Sequence, residues 1–238
     1  PKGEPQPAKV VKIRTLDVDP VDSVVYAGGW GGFGDASARN MTEGPGLWVN
    51  DDNGENFRPH KLAEEIRDSR GRLNINSIRT ARFGGLKLTF IGGEGGGHGR
   101  GPEDRPYDPN YRSFFIMVDD KLLYDAEKTN VEGLIKALGN KDNFAPHRGF
   151  ELDLEKGLIY ASSWAGEVAV GDLNQITRGE KIEWTRVSKL EKESDKNFGA
   201  GTLQVSKDKT TGKKYLITGG ERYVGVPHRF VPTRTAEI

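Results

Sequence analysis

A strand–turn–strand unit occurs four times in this chain, and that repetition constrains its fold more than any single motif. In the first copy, Lys12-Ile13-Arg14-Thr15-Leu16-Asp17-Val18-Asp19-Pro20 alternates apolar and polar residues, Pro20 to Ser23 provides a turn, and Val24-Val25-Tyr26-Ala27-Gly28-Gly29 reads as a buried strand that ends in small residues. The second copy is Ser77 to Phe83, a Gly84-Gly85 turn, and Leu88-Thr89-Phe90-Ile91-Gly92-Gly93. The third is Gly149 to Leu154, a turn at Glu155-Lys156-Gly157, and Leu158 to Ser163. The fourth is Thr202 to Ser206, a turn around Thr211-Gly212, and Tyr215 to Gly220. The equivalent positions Tyr26, Phe90, Tyr160 and Ile217 are 64, 70 and 57 residues apart, a loose period slightly longer than common blade repeats.

Each copy is followed by a second hairpin or its remains. These are Leu47 to Phe57, then Ser113 to Leu123 turning at Asp119-Asp120-Lys121, then Glu167 to Val170 with Ile182 to Val187. The fourth copy has only Tyr223 to Val226 and Phe230 to Thr235. Four antiparallel strands per repeat describe a β-propeller blade, and 32 Gly and 12 Pro fit a turn-rich, mostly β chain. The expected fold is therefore all-β, a single propeller domain over 1–238 with about four four-stranded blades at 9–62, 73–127, 145–190 and 199–238. A ring of four can close on itself, or the chain can be one portion of a larger ring completed by another polypeptide or another product of the same precursor. The weak fourth unit and the start at Pro1 favour the larger ring.

Two stretches carry a resemblance to known repeats. Asn50-Asp51-Asp52-Asn53-Gly54-Glu55-Asn56-Phe57 resembles the Asp-box (BNR, sialidase-like) hairpin, with Asn50 in place of Ser and Phe57 in place of Trp. Asp52 is short enough to accept hydrogen bonds from its own turn, Gly54 can take a positive φ, and Phe57 begins the returning strand. Pro146-His147-Arg148-Gly149 through Tyr160-Ala161 resembles the opening of blades in YVTN-type propellers. Both resemblances imply fold rather than activity.

Outside the repeats, Val131, Leu134, Ile135 and Leu138 have helical spacing, with Asn130 as N-cap and Gly139 as C-cap. This predicts a helical insertion over 128–144, and a weaker helix is expected over Lys61 to Arg67. Residues 1 to 8 are Pro-rich and read as extended.

Blade topology assigns the connections to sides. The 1–2 and 3–4 turns, the Asp-box corner included, fall on one face; the long 2–3 and 4–1 connections fall on the other. The second face holds all four histidines, His60, His98, His147 and His228, as a candidate divalent-metal set. Lys61, Arg148 and Arg229 beside three of them would repel a cation, so no cofactor is expected. The loop Gly92 to Pro102 lacks the Gly-Lys-Ser/Thr ending of a phosphate loop, and reads as backbone that can approach a ligand closely. Arg100, Arg105, Arg148 and Arg222 suit carboxylate or phosphate recognition. Trp30, Phe33, Trp164 and Tyr223 are placed to stack on sugar rings or anchor a partner. A sialidase-like site would draw on Tyr107 or Tyr223 with Asp35 or Asp104.

Lys plus Arg equals Asp plus Glu at 35 each, so no global field recruits nucleic acid or a membrane surface. No Cys is present, which removes disulfides and thiolate chemistry. No Gly-x-Ser-x-Gly elbow or His-Glu-x-x-His helix appears. These features lead to an expected non-catalytic, extracellular or periplasmic binding or assembly module that meets a carbohydrate or protein through its long-loop face. The rival is a propeller glycoside hydrolase or lyase acting on a polysaccharide, with a His-ligated metal or redox protein behind it. The sequon at Asn40 matters only in a glycosylating pathway.

Overall fold

The computed structural model describes residues 12–32, 46–52, 56–66, 72–93, 114–138, 149–162, 168–187, 198–222 and 229–237. Its strands are β1 (Lys12–Asp19), β2 (Val24–Gly32), β3 (Leu47–Asn50), β4 (Arg58–Pro59), β5 (Arg72–Phe83), β6 (Leu86–Gly93), β7 (Phe114–Val118), β8 (Leu122–Leu123), β9 (Gly149–Asp153), β10 (Leu158–Ser162), β11 (Val168–Asp172), β12 (Thr185–Arg186), β13 (Phe198–Lys207), β14 (Lys214–Arg222) and β15 (Arg229–Glu237). The fold is all-β and every strand pairing is antiparallel. Consecutive strands pair within four units: β1 to β4, β5 to β8, β9 to β12, and β13 to β15.

The turns form where local chemistry demands them. Gly84, Gly85, Gly157 and Gly212 all have positive φ in the first turns of units two, three and four. Asp119 and Asp120 are both left-handed at the centre of the turn that the Lys121 N–H closes on the Val118 carbonyl, within the three-residue loop between Val118 and its partner Leu122. Asp52 Oδ1 accepts the Asn56 N–H at 3.0 Å, so the corner between β3 and β4 is held by the carboxylate that the sequence points to. Phe57 precedes β4 and is exposed.

Register makes the repetition quantitative. Tyr26, Phe90, Tyr160 and Ile217 pair across to Asp17, Arg79, Glu151 and Gln204, so these four first-strand residues hold the same place in successive units. A one-residue irregularity in the first strand recurs between Ile13 and Thr15, between Ile75 and Ser77, and between Ala200 and Thr202. Units one, two and four therefore share a bulge at one place.

The units pack face to face in chain order, because strand alternation gives each sheet an apolar set on both sides. Tyr26, Leu47 and Val49 of unit one meet Ile75, Ile78, Ile91 and Met117 of unit two. Leu88, Phe90, Phe114 and Ile116 on the other side of unit two meet Phe150, Ile159 and Ala161 of unit three. Tyr160 and Val168 of unit three meet Leu203 and Leu216 of unit four. The first strands β1, β5, β9 and β13 run side by side across these junctions.

Several features depart from the sequence reading. β2 does not end at Gly29 but continues through Trp30 to Gly32, where it pairs with Arg72, Leu73 and Asn74 of β5 and joins units one and two into one eight-stranded sheet. The helix Val131–Ala137 forms with Asn130 as N-cap, its Leu134 and the following Leu138 buried in the core between units two and three. A further helix, Ala126–Thr129, precedes it, and Leu173–Thr177 forms another inside the expected third outer hairpin. Lys61–Ala63 is a 3-10 turn. Gly139 lies outside the described residues.

Candidate functional site

Because the strands alternate in direction, each unit has a turn end and a loop end. The turn ends meet one another: Gly84 of unit two abuts Thr177 of unit three, and Phe83 abuts Gly157. The long connections 33–46, 60–71, 94–113, 124–148 and 187–197 all leave from the opposite end.

Between the two ends runs a column of polar side chains on the first strands. Arg14 Nη1 donates to Asn76 Oδ1 at 3.2 Å, joining the bulge positions of units one and two near the loop end. Further along, Arg79 stands between Asp17 and Glu151, at 3.9 and 3.6 Å. The three carry one residue from each of units one to three, all at the same register place. Asp17 also accepts the Thr80 N–H, and Thr15 Oγ1 accepts the Ile78 N–H at 3.2 Å, so β1 caps open backbone donors of β5. Burial raises the Asp17 carboxyl against the opposing effects of the Thr80 N–H and Arg79. It raises Glu151 as well, against the Leu152 N–H and Arg79.

At the turn end, Lys87 Nζ lies 2.6 Å from Asp120, 3.3 Å from Asp19 and 3.6 Å from Asp22. It also lies 5.2 Å from the centre of the Tyr26 ring, and the Tyr26 hydroxyl bonds Asp120. Arg82 closes the group, 2.9 Å from Asp19 and paired with Asp22. Burial would raise the Asp19 carboxyl, but Arg82, the Val21 N–H and Lys87 outweigh it and bring it to about 2. Burial and Asp120 raise Tyr26, which keeps the phenol neutral. Lys87, which burial would lower, is raised by Asp120 and Tyr26 and stays charged. The group is a closed ion-pair network, not a nucleophile with a base.

The same network returns between units three and four. Lys214 Nζ lies 2.5 Å from Asp153 and 2.9 Å from Glu155. Lys87 and Lys214 each precede their register residues, Phe90 and Ile217, by three, and Asp19 and Asp153 pair with the equivalent Val24 and Leu158. The sequence reading singled out none of these residues. Their common offset from Tyr26, Phe90, Tyr160 and Ile217 is the signal that could have found them.

Of the residues singled out from the sequence, Phe33, Asp35, His98, Arg100, Asp104, Arg105, Tyr107, His147, Arg148, Trp164, Tyr223 and His228 lie outside the described residues, as do Asn40 and Gly54. Trp30 falls in β2, opposite Lys12 and Asn74, rather than opening a loop. Arg222 falls in β14, opposite Phe198 and Arg229. His60 is buried at 5% exposure, its Nδ1 accepting the Leu62 N–H at 3.1 Å and its ring 6.3 Å from that of Tyr26. Burial lowers its pKa. It caps the 3-10 turn inside the junction of units one and two, so its Nδ1 is committed there and does not face an open metal site. Among the described residues no three His, Asp or Glu side chains gather as a metal would need, and no helix is long and apolar enough to cross a membrane.

No protein-family model matches the chain, and no curated protein matches it. Among solved structures it is similar to the tail fiber of Staphylococcus aureus phage P68, at 12% identity and a TM-score of 0.28, over 94% of this chain and 49% of that one. The chain thus spans about half the length of that protein.

Proposed function

We propose that the chain is a set of β-propeller blades acting as a non-catalytic, extracytoplasmic binding or assembly module, whose loop end meets a carbohydrate or protein. The observation that carries this reading is the side-by-side arrangement of β1, β5, β9 and β13, with the sheets stacked in chain order and all long connections leaving from one end. Propellers use this plan to hold variable loops on a rigid ring. The pairing of β2 with β5 is a local strap between the first two blades. Asp17, Asp19, Arg79, Lys87, Glu151, Asp153 and Lys214 pair with one another at the junctions, and recognition is assigned to the loops that hold Arg100, Arg105, Arg148 and Trp164.

Arginines suit carboxylates, so the test is retention of the protein on immobilised polygalacturonate compared with dextran. Retention on the acidic polymer, lost in Arg105→Glu/Arg148→Glu with an unchanged melting temperature, supports the reading. Equal retention of that variant removes the loop end as the binding face. Depolymerisation of the polymer, abolished by Asp104→Asn or Asp35→Asn, would make the protein an enzyme and overturn the non-catalytic reading.

A further inference from the structure

Among the described residues no unit covers the outer face of unit one or of unit four, and the repeat register states what such a face meets elsewhere in the stack. At the place of Leu16 in unit one, the later units have Ile78, Phe150 and Leu203, which are 0%, 1% and 4% exposed because each packs on the preceding unit. Leu16 is 55% exposed. Val18, two residues on along the same face, is 48% exposed, and Val21 in the adjoining turn is 66% exposed. At the far end, Ile217 occupies the place of Tyr26, Phe90 and Tyr160, which are 0%, 0% and 3% exposed beneath the following unit. Ile217 is only half-buried, and Gln204 beside it is half-exposed. Among the described residues, β13 and β1 do not share the contact that joins β1 to β5, β5 to β9 and β9 to β13.

We infer that the Leu16–Val18 face is a docking surface for a second copy of this chain, which seats its fourth unit there as units two to four seat on their predecessors. The inference rests on the propeller reading. The two open faces are the two halves of one junction type, so a head-to-tail contact made twice closes two copies into a ring of about eight blades, within the size such rings take.

The chemistry of the new junction follows from the alternation in the existing ones. Where Asp19 faces Lys87 and Asp153 faces Lys214, the junction between units two and three has Ala81 and Gly157 and is uncharged at that place. The contact between unit four and the next copy's unit one would bring together Ser206 and Ser23, which is also the uncharged kind. In the polar column, Gln204 would stand between Glu151 and the second copy's Asp17, an amide bridging two carboxylates. The assembly should therefore depend on apolar burial and change little with salt.

The chain has no cysteine, so introduced thiols report the contact alone. Arg79 and Glu151, the equivalent pair at an existing junction, are 3.6 Å apart, which sets the reach a cross-linker needs. Asp17→Cys and Gln204→Cys single variants, mixed and treated with a short bismaleimide, are expected to give a covalent pair at twice 26.2 kDa. Untreated protein is expected at the same mass by light scattering in low and high salt, and Leu16→Asp/Val18→Asp at 26.2 kDa with its circular dichroism unchanged. A 26.2 kDa wild type, or a cross-link in Asp17→Cys/Gln204→Cys that stays within one chain, overturns the inference. The cross-link is read without any ligand, so failure here is distinct from failure of retention on the polysaccharide.

Discussion

Asp153 Oδ1 and Lys214 Nζ lie 2.5 Å apart across the third and fourth units, in the place that Asp19 and Lys87 hold across the first and second at 3.3 Å. Asp153 is 2% exposed at its side chain and Lys214 12%, so removing the lysine strands a buried carboxylate, whereas Lys214 without Asp153 keeps Glu155. Lys214→Met should cost about 3 kcal/mol, whereas Asp153→Leu/Lys214→Met should recover much of that, because a buried pair replaced together leaves no uncompensated charge. Urea unfolding of the two single variants and the double variant measures the coupling. A loss in the double variant equal to the sum of the two single losses would mean that the pair is not coupled.

Asp19 gives the fold a specific acid limit. Its carboxyl is near 2 when folded, against an ordinary 3.8, so it contributes stability that is complete above pH 3.8 and disappears as the pH falls to about 2. That contribution is about 2 kcal/mol, and thermal melts of wild type and Asp19→Asn should converge across this window. Asp17 and Glu151 have the opposite sign. Their folded carboxyls are raised, so each favours the fold when protonated, and that gain is lost as the pH rises through its folded value. Glu151→Gln should remove the Glu151 part of the gain, seen as a flatter dependence of melting temperature on pH just above the carboxylate range.

The strand pairs, their turns and the helix capped by Asn130 were legible in the sequence because each is decided within a few residues. Gly84-Gly85, Gly157 and Gly212 fix turns by φ, and the spacing of Val131, Leu134 and Leu138 fixes a helix. The strap between Trp30–Gly32 and Arg72–Asn74 was not legible, since it joins segments from two repeats and has no pattern of its own. The place of His60 was not legible either, since the Pro59-His60-Lys61 context does not show that its Nδ1 caps a 3-10 turn. The junction pairs were hidden for a related reason. Asp19 and Lys87 are 68 residues apart, and only the register of both units shows that they meet.

Gly28 tests the close stacking of units one and two. A Cβ there would lie 2.4 Å from Ile75 Cγ2 and 2.8 Å from Thr15 Cγ2, both on first strands that cannot withdraw without breaking their pairing. Gly28→Ala should destabilise by about 1–3 kcal/mol through overpacking, and Gly28→Ala/Ile75→Ala, which removes the Cγ2 that the new methyl meets, should cost less than the two single changes summed. A neutral Gly28→Ala in chemical denaturation would show that the two units are less closely apposed.

Asn130 joins two helices and the segment before β12, and its variants separate its three roles. Its backbone is left-handed at φ 55°, it ends Ala126–Thr129 and begins Val131–Ala137, and its Oδ1 accepts the Gly133 N–H at 3.1 Å. Its Nδ2 donates to the Ile182 carbonyl at 2.7 Å, tying the helical segment to the chain leading into β12. Asn130→Ala loses both side-chain bonds and keeps a left-handed backbone that alanine disfavours, for a cost of about 2–3 kcal/mol. Asn130→Gly relieves the backbone and should cost about 1 kcal/mol less. Asn130→Asp retains the cap but turns the Ile182 carbonyl's donor into a second acceptor, so it should fall between the two. Amide exchange at Gly133 distinguishes the cases, with protection expected in wild type and Asn130→Asp and lost in Asn130→Gly; protection that survives in Asn130→Gly would show that the side chain is not the cap.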